Sequence, residues 1–155
     1  MRTFRVQTFV ASFLCALVGI ASFVWGTAPS SASTPESLQI FKECSQFTGH
    51  VGDHCTITYS SLGAIPPLTK VFYFGPVLPA STPYNPNRIS SAVVLETPGG
   101  DTATGHCTLS QKTLLGTCTF EGGTGVLTGF HAIVSVSVES TGLFHWDGSY
   151  FFAPA

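Results

Sequence analysis

Phe130-His131-Ala132-Ile133-Val134-Ser135-Val136-Ser137-Val138-Glu139 is the stretch on which the fold reading turns. Phe130, Ala132, Val134, Val136 and Val138 fall on one face of an extended chain. His131, Ser135, Ser137 and Glu139 fall on the other, with Ile133 the exception. Side chains of a strand alternate between faces, so this period marks a strand with one dry and one wet side, as in an antiparallel sheet.

The same two-residue period runs outward in both directions, and helical periodicity is nearly absent. Thr, Val, Phe and Tyr are frequent, whereas helix formers are scarce. Eight strands are predicted, at 38–46, 54–61, 69–75, 89–96, 102–110, 114–120, 130–139 and 144–152. Turn chemistry separates them: Thr48-Gly49-His50, Leu62 to Pro67, Pro98-Gly99-Gly100-Asp101, Gly122-Gly123-Thr124-Gly125 and Thr141-Gly142. Pro76 to Arg88 holds four prolines and reads as an irregular loop. Short strands at hairpin spacing point to a barrel or a sandwich, and closure into a barrel removes exposed edges.

Residues 1–32 differ from the rest. Arg2 and Arg5 precede an uncharged run from Phe9 to Trp25, followed by the small residues GTAPSSASTP. That order is a secretory signal, with cleavage expected after Ala32; an uncleaved anchor is the alternative. The chain then divides into a signal at 1–32, a flexible lead-in at 33–37 and one domain at 38–155. Without the signal, 123 residues keep four basic and eight acidic side chains, a net charge near −4. No basic cluster occurs, which argues against nucleic acid as a partner. Neither Asn85 nor Asn87 starts a glycosylation sequon. Only 9% of the residues are charged, against roughly a quarter in ordinary soluble domains.

Four cysteines remain beyond the signal, and in an exported protein an even number reads as disulfides. Cys44 and Cys55 are eleven residues apart, as are Cys107 and Cys118, each pair centred on a turn. In hairpins about those midpoints the partners stand opposite one another, within reach of a disulfide. The expected bonds are Cys44–Cys55 and Cys107–Cys118. The two His-Cys-Thr-apolar tetrads, at His54 and His106, leave Cys55–Cys107 open as an alternative.

The segment Cys118-Thr-Phe-Glu-Gly-Gly-Thr-Gly-Val-Leu-Thr-Gly-Phe-His-Ala132 resembles the allene oxide cyclase barrel-like family, which includes plant dirigent proteins. Gly52-Asp53-His54-Cys55-Thr56-Ile57-Thr58, Gly105-His106-Cys107-Thr108-Leu109 and Trp146-Asp147-Gly148-Ser149-Tyr150-Phe151 are similar to secreted bacterial-type members. The resemblance covers residues 38–152 and implies an all-β, eight-stranded antiparallel barrel with Gly-Gly-Thr-Gly as the bend between strands six and seven. In true allene oxide cyclases a strand-one glutamate in the barrel stabilises a positively charged intermediate. The matching residue is Glu43, the candidate catalytic residue. The rest of that catalytic set has no match, so the resemblance speaks for the fold more than for a reaction.

Other constellations read as structural. His50, Asp53, His54 and Cys55 form a turn beside a disulfide rather than a metal site, and no metal or cofactor is expected. Gly-Gly-Thr-Gly lacks the lysine of a phosphate loop. No Ser-His-Asp arrangement has an activating context. Asp147-Gly148 reads as a bulge whose carboxylate caps backbone amides. Charges pointing into such a barrel would be costly unless paired, so Glu43 and Arg88 are the charges to locate. The expected function is a secreted module that binds a small apolar ligand in its barrel without turning it over. The alternatives are an isomerase or cyclase of an apolar lipid-derived substrate, and a structural envelope protein. Expected partners are a small apolar ligand and, as an open alternative, further copies of the chain.

Overall fold

The computed structural model describes residues 34–75 and 88–154. The expected signal at 1–32 and most of the expected loop at 76–88 lie outside the described residues. Eight strands follow one another around a closed antiparallel barrel: β1 (Glu36–Glu43), β2 (His54–Ser60), β3 (Lys70–Tyr73), β4 (Arg88–Glu96), β5 (Thr102–Ser110), β6 (Gly116–Gly123), β7 (Phe130–Val138) and β8 (Phe144–Phe152). Each strand pairs with its sequence neighbours, and β1 closes the ring on β8 through seven partners from Glu36↔Tyr150 to Lys42↔Phe144. Closure leaves no edge strand to protect.

The alternation of β7 sets its orientation. Phe130, Ala132, Val134 and Val136 are buried in the interior, while Ile133 is 63% exposed on the outside. Phe120, Phe130, Tyr150 and Phe152 pack at one end, with ring centroids 5.6–6.3 Å apart along the Phe120–Phe130, Phe130–Tyr150 and Phe130–Phe152 pairs. Ile65, from the β2–β3 connection, and Leu127, from the β6–β7 connection, are fully buried at that end. It is the filled floor of the barrel. The opposite mouth is bordered, among the described residues, by the β1–β2, β5–β6 and β7–β8 connections and by the end of β3 and the start of β4.

Three local expectations change. The lead-in is shorter than 33–37, because pairing with β8 begins at Glu36, whose carboxylate accepts a 2.7 Å bond from the Tyr150 hydroxyl. The Gly-Gly-Thr-Gly bend is split. Gly122 and Gly123 end β6 in a bulge opposite Ala103–Gly105, and the turn proper is the 3-10 segment Gly125–Leu127. Gly122 has φ +75°, and a Cβ at Gly123 would sit 2.5 Å from the carbonyl oxygens of Leu127 and Thr102. Both positions therefore need glycine. Asp147-Gly148, expected as a bulge, runs in unbroken register against both Gln39-Leu38 and Ser135-Val134. Gly148 answers to crowding by the neighbouring strand: its Cβ would collide with the Ile133 carbonyl.

Candidate functional site

The mouth opposite the filled floor holds an apolar cleft with room of about 60 Å³. Its wall comes from the C-terminal ends of odd strands and the N-terminal ends of even ones. β3 supplies Tyr73, β4 Ile89, β5 Thr108 and Leu109, β7 Val136, and β8 Phe144 and Trp146. Cys44–Cys55 and Cys107–Cys118 are both formed and line the same cleft, each spanning a Cα–Cα distance near 4 Å (4.2 and 4.1 Å). The second pair stands directly opposed in the β5–β6 ladder, as the hairpin argument requires. These bonds indicate maturation in an oxidising, extracytoplasmic environment. Among the described residues, no helix is long and apolar enough to cross a membrane.

Among the described residues, one charged side chain lines this cleft, and it is Lys42. β1 alternates Leu38, Ile40, Lys42 inward and Gln39, Phe41, Glu43 outward, so the amine follows two buried aliphatic residues into the barrel. Lys42 is only 2% exposed. Its Nζ donates to the Tyr73 hydroxyl oxygen at 2.6 Å and lies 3.6 Å from the Cys44 sulfur. Three aromatic rings surround it, with centroids at 4.6 Å (Phe144), 4.9 Å (Trp146) and 5.2 Å (Tyr73). Ring faces attract an ammonium ion, but among the described residues no carboxylate lines the cleft to balance one. Burial dominates and pulls the Lys42 amine down to about 7, because the charged form loses its hydration. Burial likewise pushes the Tyr73 phenol up, so its hydroxyl keeps its proton.

Trp146 is 1% exposed, and its indole Nε1–H has no hydrogen-bond partner among the described residues. A buried donor left unpaired costs about 1–3 kcal/mol. The cleft thus presents apolar walls, an amine that burial drives toward its neutral form and a protonated phenol.

Glu43, the candidate from sequence, faces the other way. Its carboxylate accepts the Ser45 backbone N–H at 2.9 Å, and hydrogen bonds from Ser45, the side-chain hydroxyl first and the backbone N–H second, hold the carboxyl below its usual range. It borders a shallow rim depression with Ser45 and Thr141, and it does not line the interior cleft. The one-residue offset follows from strand parity: Lys42 and Glu43 are adjacent, so only one of them enters the barrel. Arg88 is exposed at the start of β4. Sequence reasoning missed Lys42, although the Leu38-x-Ile40-x-Lys42 period carried the signal.

The remaining polar candidates are structural. The Asp53 carboxylate accepts the backbone N–H groups of Thr48 and His50 and the Thr48 hydroxyl, fixing the β1–β2 turn; these bonds, led by that from His50, hold it below its usual range. His106 Nε2 is 3.0 Å from the Ser90 hydroxyl on the outer face. His131 stacks on Phe151 with a centroid distance of 4.8 Å. His145 Nε2 sits 2.8 Å from Glu139 on the outside of the barrel.

Comparison with family models, with curated proteins and with solved structures returns no match.

Proposed function

We propose that the chain is a secreted binding module of the allene oxide cyclase barrel-like kind, which holds a small apolar ligand at the Lys42 mouth without turning it over. The single observation that carries this reading is the cleft itself. It is apolar, partly open and lined by a lone buried amine, in a barrel whose other end is filled by side chains. Ligand sites are commonly apolar hollows with a few placed polar groups, and the mouths of β-barrels are a frequent location. Its size favours a slim molecule with a hydrogen-bond acceptor at one end, facing Lys42 Nζ and the Tyr73 hydroxyl. The basic-apolar-small order of residues 1–32 supports export, and the disulfides agree with it.

The test uses tryptophan emission. The chain has two tryptophans, Trp25 and Trp146, so Trp25→Phe leaves Trp146 as the sole indole, lying in the cleft. Titration with hexanol should change its emission saturably, and Val136→Phe, which fills the cleft, should abolish the response. A change that grows linearly with hexanol, or survives Val136→Phe in a folded protein, overturns the reading.

A further inference from the structure

We propose that Lys42 is a nucleophile that captures short-chain aldehydes as an imine within the barrel mouth. The inference rests on the apolar-ligand reading of the cleft and adds the chemical class of ligand and a covalent step. The geometry provides the parts. An amine with no carboxylate beside it lines an apolar cleft open to small molecules, and a phenol hydroxyl lies 2.6 Å from its nitrogen. Desolvated lysines in apolar pockets are activated in this way, because the free amine and not the ammonium attacks carbonyl carbon.

The step balances without a further reactant. The Nζ lone pair forms a bond to the aldehyde carbon while the carbonyl π pair moves to oxygen. The Tyr73 hydroxyl, kept protonated by burial, gives its proton to that oxygen and takes one from the new ammonium. The resulting carbinolamine expels its hydroxyl as water, with a proton from nitrogen, and leaves a C=N bond. One aldehyde and one amine thus become one imine and one water, and hydrolysis returns both. Apolar walls limit the water that drives the return.

The experiment exploits the small number of competing amines. The chain has three lysines, and Lys70 and Lys112 are both exposed. The full chain is incubated at pH 7 with butanal and sodium cyanoborohydride, which reduces the imine to a stable secondary amine, and the alkylated peptides are quantified by mass spectrometry. Desolvation favours the free amine at Lys42, whereas Lys70 and Lys112 stand in water, so Lys42 should be alkylated more than ~tenfold faster than either. Tyr73→Phe should slow Lys42 without changing the other two. Equal rates at the three lysines overturn the proposal, and since this comparison is internal to the unmutated protein it does not depend on any variant folding. Equal rates with a saturable hexanol response refute the imine alone. Equal rates with no saturable response refute the binding reading as well.

Discussion

Lys42 Nζ and the Tyr73 hydroxyl, 2.6 Å apart across the barrel mouth, form a buried polar pair with no acidic partner lining the cleft around them. The two groups respond to burial in opposite senses, since each is driven toward its neutral form. Neutralisation of both is what makes the pair tolerable in an apolar interior.

A pH dependence of stability follows. The folded Lys42 amine titrates at about 7 and the unfolded one near 10.5, so between those values the unfolded chain holds a proton that the folded chain lacks. Stability therefore rises with pH across that window, at up to about 1.4 kcal/mol per unit for this one group. Tyr73 acts oppositely above pH 10, where the unfolded phenol ionises and the folded one does not. Thermal midpoints measured from pH 6 to 9.5 should climb above pH 7 for the natural chain. They should climb less for Lys42→Met, which replaces the amine by an apolar side chain of similar length. Parallel curves for the two proteins would exclude a depressed amine.

Tyr73→Phe removes the hydroxyl and leaves the Lys42 amine without its oxygen partner. The expected loss is about 1–3 kcal/mol in denaturant unfolding at pH 7. In a Lys42→Met background the same substitution should cost clearly less, because no buried amine is then orphaned. Equal costs in the two backgrounds would show that the pair is not coupled.

The antiparallel strands and the two expected disulfides were legible in local regularities, whereas the choice of a barrel over a sandwich came from the family resemblance and Cys55–Cys107 stayed open. Alternation over Phe130–Val138 names an inner face, and equal spacing about a turn places Cys107 opposite Cys118. The site was less readable. Pairing sets which of Lys42 and Glu43 enters the barrel, and in β1 the outward Phe41 hides the alternation by packing on Tyr59 and His145 outside. The bulge at Gly122 shows the same limit: glycine runs signal special backbone, but only the β5–β6 register shows that a bulge precedes the turn.

Each disulfide closes a short loop at the mouth, so loss of either should destabilise the fold by about 2–3 kcal/mol through the entropy of the unfolded chain. Cys107→Ser paired with Cys118→Ser should lower the unfolding midpoint accordingly. Non-reducing peptide mapping of the natural chain should return Cys44–Cys55 and Cys107–Cys118. Recovery of a Cys55–Cys107 peptide would contradict the register of the barrel.

Adjacent charges on β1 provide the sharpest separation between the two readings of the mouth. If function resided in the strand-one carboxylate, Glu43→Gln would abolish it. The carboxylate points outward to the Ser45 amide, whereas Lys42 lines the cleft. Glu43→Gln should therefore leave the Trp146 response to hexanol unchanged. Lys42→Met should alter the response to hexanoate, whose carboxylate an ammonium form of Lys42 would hold, far more than the response to neutral hexanol. Lowering the pH from 8 to 6 should likewise strengthen hexanoate binding in the natural chain, since Lys42 gains its proton through about 7. That pH effect should vanish in Lys42→Met and persist in Glu43→Gln. The reverse assignment of the two variants would return the site to Glu43.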